Sequence, residues 1–152
     1  MHHTKSKADL GLAKVIADLV SKGHIPCVPL SEHQPYDLVV VLDNGSVIKV
    51  QVKYAQLEKN GVISVKFRTS WADKNGTHTK KYQEKDFNYY AIYCPEKEVV
   101  LYIPNTLDCP KTIRFEATAN NQAKFVWWAQ NYLDIKRESS ETIRRTPEMV
   151  KT

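Results

Sequence analysis

Two hydrophobic periodicities follow one another along the chain. The first is helical, because the apolar residues after position 11 recur every three or four positions: Leu12, Val15, Ile16, Leu19 and Val20. Gly23 then supplies a helix stop. A short apolar stretch at residues 25–30 contains Pro26 and Pro29, which is typical of an edge strand or a connector. The pattern therefore predicts one amphipathic helix followed by an edge segment.

The second periodicity is an alternating one, and it predicts a β-hairpin. Residues 36–42 are rich in β-branched side chains and residues 46–54 alternate, with the turn signal Asn44-Gly45 between them. The apolar positions of the second strand are expected to face a core. Its opposite face carries three polar residues: Lys49, Gln51 and Lys53. A third strand at residues 62–67 is expected to complete an antiparallel meander.

The second half of the chain predicts further elements of both kinds. They are a polar loop at 70–86, strands at 88–94 and 98–103, and a helix at 121–133. This order predicts an α/β fold, with a mixed central β-sheet flanked by helices. We expect one domain at residues 1–135 and a charged C-terminal tail at residues 136–152.

Composition adds a preference for a polyanionic partner. The 152 residues are 42% hydrophobic, which is enough for a single core and excludes a wholly disordered chain. The formal net charge is +5. The excess is uneven: residues 61–90 carry six Lys and Arg against three Asp and Glu, and residues 111–152 carry eight against five. A polyanion is therefore expected to bind to the middle and the C-terminal quarter first.

The cysteines and the hydropathy profile bear on the compartment. Cys27, Cys94 and Cys109 stand far apart, without a CxxC pair or a Cys/His cluster at zinc spacing. No apolar run approaches the roughly 20 residues that a membrane span needs. We expect reduced thiols, a cytoplasmic location and no membrane partner.

A candidate catalytic group lies on the predicted hairpin. Asp37 begins one strand, and Gln51 and Lys53 share one face of the next strand. Phosphodiester hydrolysis at such a group uses a hard divalent cation, usually Mg²⁺, held by oxygen atoms. Asp37, Gln51 and the backbone carbonyl of Val52 offer those oxygens. Lys53 is suited to stabilise developing negative charge or to orient water. On spacing alone, an aspartate that caps a turn beside a solvated strand face is the simpler interpretation.

The same residues carry a family resemblance. Pro35-Tyr36-Asp37 followed by Gln51-Val52-Lys53 resembles the motif of the PD-(D/E)XK nuclease superfamily. Segments within residues 4–37, 89–93 and 102–104 are similar to the branch that contains a cyanobacterial group I intron-encoded homing endonuclease. The resemblance implies a restriction-endonuclease-like core of order α-β-β-β-α-β. It also implies an intron-encoded, Mg²⁺-dependent double-strand DNA endonuclease that assembles as a homotetramer.

Two positions depart from the family pattern. The superfamily usually has Asp or Glu at the position of Gln51, and a neutral amide is a poorer Mg²⁺ ligand than a carboxylate. The resemblance implies that relatives with Gln there use a Glu from the first helix, and it places that residue at Leu12. The resemblance thus assigns catalysis to Asp37, Gln51 and Lys53, with Leu12 at the fourth position. Leu12 also fits the apolar stripe of the helix. Our hypothesis is that this chain binds DNA and cuts it poorly.

Candidate DNA contacts lie after the predicted third strand. They are Lys66, Arg68, Ser70, Lys80, Lys81 and Tyr82. A solvated loop is the alternative interpretation of this segment. Two other functions also stay open: a structure-selective nuclease of Holliday-junction resolvase type, and a DNA-binding module without catalysis.

Length makes a prediction about assembly. One such chain carries one site, whereas cutting both strands of a duplex needs two. A long recognition sequence also needs more surface than one small domain offers. We therefore expect at least a dimer in sedimentation at near-physiological salt. A monomer both with and without DNA would contradict this prediction.

Overall fold

The computed structural model describes residues 3–66, 68–106, 112–118, 120–121 and 126–136. Helix α1 spans Thr4–Ser21, as its apolar periodicity predicts, and it buries Gly11, Val15 and Leu19. The chain reverses after Lys22 through Gly23, whose φ of 82° lies in the left-handed region that glycine adopts without strain.

In the described part of the chain, nine strands and one short helical turn follow α1. They are β1 (Ile25–Cys27), β2 (Leu38–Val41), β3 (Val47–Tyr54), β4 (Val62–Ser64), β5 (Arg68–Asp73), β6 (Gly76–Lys81), β7 (Tyr89–Cys94), β8 (Val99–Pro104), β9 (Thr112–Arg114) and a 3₁₀ turn, Ala129–Tyr132. The main sheet has the order β1-β2-β3-β7-β8. All of its neighbours are antiparallel except β3 and β7, which run parallel. This mixed sheet and its helix confirm the α/β fold class.

The sheet separates two apolar layers. On the α1 side, the even-numbered residues of β3 pack with Val15, Leu19 and Leu38, as the alternation predicts. On the other side, Phe87 and Tyr90 pack with residues from β4, β8 and β9. Burial of both faces explains why β7 and β8 are apolar almost throughout.

The predicted antiparallel meander is wrong in its third strand. Residues 62–64 pair with Thr112–Arg114 in a separate two-stranded sheet, and β3 pairs with β7 instead. The side chains of β7 are buried on both faces, so β7 fits the sheet interior beside β3. β4 is only three residues long and ends in the exposed Ser64, so it offers no comparable run of buried side chains.

The predicted loop at 70–86 is also wrong over most of its length. Residues 68–81 form the β5–β6 hairpin, which turns through Lys74 and Asn75. Asp73 Oδ1 accepts a hydrogen bond from the Asn75 N–H at 2.7 Å, and Gly76 takes a φ of 120°. Both faces of this hairpin are largely exposed, so its sequence lacks the apolar alternation that marks a half-buried strand.

The predicted helix at 121–133 is wrong where the structure describes it. Trp128 is extended, and only the 3₁₀ turn follows it. Residues 122–125 lie outside the described residues, as does the tail beyond Lys136. Ile135 is still part of the core, and the Tyr89 hydroxyl donates to the Lys136 carbonyl at 3.1 Å. No described helix has the length and apolar character to cross a membrane.

Candidate active site

The candidate site lies where β2 and β3 separate. Pairing between them ends at Leu38 and Val50, whereas β3 continues beside β7 to Tyr54. The Asp37 N–H donates to the Val50 carbonyl at 2.9 Å, so the polar backbone groups of Val50 face β2. Because backbone groups two residues apart face the same way, those of Val52 point into the gap beyond β2. We call this gap the fork.

The Asp37 side chain fills part of the fork. Its Oδ2 accepts a hydrogen bond from the Val52 N–H at 2.8 Å, in the place of the missing strand partner. A carboxylate has about four acceptor sites on its two oxygens, so this bond leaves capacity for a cation. The Val52 carbonyl faces the same gap, with the Gln51 Nε2 at 3.5 Å, the outer limit of a hydrogen bond.

Electrostatics at the fork favour an added positive charge. Burial raises the pKa of Asp37 above its usual value of 3.8, and the Val52 hydrogen bond and the Lys53 charge only partly offset that effect. The charged carboxylate is therefore destabilised in the protein alone. A divalent cation beside it would reverse the balance.

Two lysines share the sheet face of Gln51. The Lys53 Nζ donates to the Tyr82 hydroxyl at 3.1 Å. The Lys49 Nζ donates to the Lys85 carbonyl at 3.3 Å. The structure thus places Asp37, Gln51 and Lys53 at one end of the β2–β3 pair, with Lys49 as a second cation on the same face.

Leu12 lies on the helix that crosses this part of β3. A Cβ on its neighbour Gly11 would stand 3.7 Å from Val52 Cγ1 and 3.8 Å from the Lys53 carbonyl, so α1 and β3 are in close contact here. Leu12 is half-buried and packs on the α1-side core, and it offers no coordinating atom.

The donor set suits a hard cation. Within the described residues, no group of three or more His, Cys, Asp or Glu side chains could hold a metal ion. The carboxylate of Asp37, the carbonyl of Val52 and the amide oxygen of Gln51 are all oxygen donors, as Mg²⁺ requires. A half-turn of the Gln51 amide exchanges its nitrogen and oxygen. Mg²⁺ commonly has one or two carboxylate ligands and completes its shell with water and phosphate, so these residues fit it.

The candidate DNA contacts lie mostly on the β5–β6 hairpin. Arg68 is paired with Lys81, and Ser70 with Thr79, so these four occupy one face of the hairpin. Lys80 lies on the other face, and Lys66 is exposed just after β4. Tyr82 follows β6 and is half-buried against the core rather than open to solvent.

Sequence reasoning missed two features of this region. One is the Lys53–Tyr82 contact, which brings together residues 29 positions apart and leaves no local signal. The other is the stack of Trp71 on His78, with ring centroids 5.4 Å apart, and the contact of His78 Nε2 with Asp73 at 3.0 Å. The Asn75-Gly76 dipeptide is a turn signal near the second, but the turn is centred on Lys74 and Asn75, and it is this register that pairs Trp71 with His78.

Comparison with known proteins adds independent evidence. The model of a family described as PD-(D/E)XK endonuclease matches residues 2–135. The fold is similar to the solved structure of a bacterial homing endonuclease, I-Ssp6803I. The TM-score is 0.69 and the identity 27%, over 86% of this chain and 88% of that chain. No curated protein matches the sequence.

Replacement of Asp37 tests the electrostatic state of the fork. Below the usual aspartate pKa the group is neutral in both folded and unfolded protein. As the pH rises, Asp37 ionises in the unfolded chain before it ionises in the folded protein. The raised pKa of Asp37 therefore lowers the stability of the wild type. We expect Asp37→Asn, which keeps an acceptor for Val52, to be more stable than wild type at about pH 7 and equal to it at about pH 3 in urea unfolding. Mg²⁺ should raise the stability of wild type alone. A less stable variant at neutral pH would contradict the assignment.

Proposed function

The chain belongs to the PD-(D/E)XK endonuclease family, and we propose that it is a site-specific double-strand DNA homing endonuclease that uses Mg²⁺ to hydrolyse phosphodiester bonds. The observation that carries the proposal is the fork, where Asp37, the Val52 carbonyl and Lys53 converge beyond the end of β2. The likeness to a bacterial homing endonuclease over most of both chains supports the same activity.

Each residue of the fork has a distinct proposed task. Asp37, the Val52 carbonyl and the Gln51 amide oxygen would hold the cation. When bound, Mg²⁺ supplies positive charge to the scissile phosphate and lowers the pKa of attacking water. Lys53 stabilises the negative charge that develops on the phosphate oxygens. The Val52 N–H fixes the Asp37 carboxylate at 2.8 Å and thereby orients it.

The β5–β6 hairpin is the proposed DNA-reading element. A two-stranded ribbon fits the major groove of B-DNA. The face that carries Arg68, Ser70 and Lys81 is polar and exposed, which suits contact with base edges. Lys66 and Lys80 lie outside that face and suit phosphate contacts.

The proposal extends to assembly and compartment. We propose a homotetramer, or at least a dimer, because both strands of the target need a site. The protein is proposed to act in the cytoplasm. In support, Cys27 and Cys94 are free thiols.

Leu12 favours a second candidate function, a DNA-binding module that cuts poorly. Its side chain packs on the α1-side core and cannot coordinate a cation. The proposed cation would then rest on Asp37 with neutral oxygens only, which lowers its affinity.

Cleavage of a duplex DNA library in Mg²⁺, followed by sequencing of the ends, separates these functions. We expect Leu12→Glu to cut at one long site at least about tenfold faster than the chain with Leu12, because it adds a carboxylate ligand. Lys53→Met in the Leu12→Glu background should bind that site and leave it uncut. Equal, robust cutting with Glu or Leu at position 12 would contradict the hypothesis that the chain with Leu12 cuts DNA poorly. Absence of ends in every variant would contradict the nuclease function, and absence of binding as well would contradict the DNA-binding module.

Binding measurements at several salt concentrations test the hairpin. Arg68→Ala should cost about 1–3 kcal/mol on the cognate site and relax specificity. Lys80→Ala should weaken binding to all sequences. It should also reduce, by about one, the slope of the logarithm of the binding constant against the logarithm of salt concentration. Lys97, which pairs with Glu116 at 3.1 Å, is the matched control, and Lys97→Ala should change neither property. Equal effects of all three substitutions would indicate that the hairpin does not read DNA.

A further inference from the structure

Tyr82 stands between the hairpin and the fork. It is the first residue after β6. Its hydroxyl oxygen accepts a hydrogen bond from the Lys53 ammonium group at 3.1 Å. The Lys53 Nζ is also 4.8 Å from the centre of the Tyr82 ring, within the range of a cation–π contact. One side chain therefore holds the proposed catalytic lysine by two favourable contacts.

The Tyr82 ring is itself fixed by the core. It packs edge-to-face on Phe87, with centroids 5.1 Å apart, and on Tyr90 at 6.0 Å. Phe87 and Tyr90 are almost fully buried and pack on one another at 4.7 Å. Tyr90 is the register partner of Gln51. The ring thus has a rigid support on β7, the strand next to the fork.

We propose that Tyr82 is a positioning residue for Lys53, which acts by holding the ammonium group at the fork rather than by touching DNA. The inference rests on the proposed nuclease function for its consequence in catalysis. Lysine has four rotatable side-chain bonds, so a free Lys53 would sample many positions. A rigid acceptor restricts the ammonium group before substrate arrives, and such positioning is what catalysis by a charged group requires.

Lys49 shows what distinguishes Lys53. It lies on the same sheet face and near the Tyr36 ring at 5.3 Å, but its ammonium group donates to the Lys85 backbone. Lys53 instead donates to a side-chain hydroxyl that a single substitution removes. The contact can therefore be tested without disturbing the backbone.

The first test measures the position of Lys53 directly by NMR of its side-chain ammonium group, without DNA or Mg²⁺. In the natural chain, we expect a Lys53 resonance displaced from those of exposed lysines and slow exchange of its ammonium protons. Tyr82→Phe should speed that exchange, but the Lys53 resonance should stay displaced for the most part because the aromatic ring remains. Tyr82→Leu should move the resonance to the position of exposed lysines. An unchanged Lys53 resonance in a folded Tyr82→Leu protein would overturn the inference.

The second test measures kcat and KM for cleavage by the natural chain or by Leu12→Glu, whichever cuts. Tyr82→Phe should lower kcat about tenfold and Tyr82→Leu by more, with KM nearly unchanged. The matched control is Tyr54→Phe, which removes a hydroxyl from the residue beside Lys53 on the opposite sheet face and should leave kcat within about twofold.

The outcomes of the two tests are distinguishable. A rise in KM alone for the Tyr82 variants would indicate a DNA contact and overturn the positioning role. Loss of kcat in Tyr54→Phe as well would indicate general disruption of β3 and overturn it too. If neither parent cuts any DNA, the nuclease function fails, and the Lys53 resonance alone decides whether Tyr82 holds the lysine.

Discussion

The hydrogen bond from the Val52 N–H to the Asp37 carboxylate is the interaction on which the candidate site depends. It forms where β2 leaves β3, and it satisfies a backbone donor that would otherwise lack a strand partner. The same bond holds a partly buried carboxylate beside the Val52 carbonyl and a lysine. Strand separation, charge burial and the proposed cation site are therefore one feature of the fold.

The local parts of this arrangement follow from the sequence. The spacing of apolar residues predicts α1, and Asn44-Gly45 predicts the β2–β3 hairpin that brings Asp37 to Gln51 and Lys53. The contacts between residues far apart in the sequence do not follow from it in the same way. The parallel pairing of β3 with β7 depends on which strand can be buried on both faces, and the Lys53–Tyr82 contact depends on the path of a hairpin whose sequence lacks apolar alternation. Periodicity carries no information about either.

Leu12 and the lysines of β3 have different effects on the stability of the protein and on the charge around the fork. Position 12 lies on a helix in contact with the fork, where a carboxylate would be partly desolvated, and leucine removes that cost by packing on the core. With leucine at this position, the helix offers Asp37 no acidic partner at residue 12. Lys49 and Lys53 add positive charge to the neighbouring face, which suits a phosphate more than a metal cluster. Packing of Leu12 thus favours stability, and the two lysines favour an anion at this face.

Paramagnetic NMR with Mn²⁺, a substitute for Mg²⁺ that broadens nearby resonances, tests directly whether the fork binds a cation. Substoichiometric Mn²⁺ should broaden the amide resonances of Asp37, Val52 and Lys53 before others in the chain. The effect should disappear in Asp37→Asn and strengthen in Leu12→Glu. Broadening that begins elsewhere, or that persists unchanged in Asp37→Asn, would show that the cation does not bind at the fork.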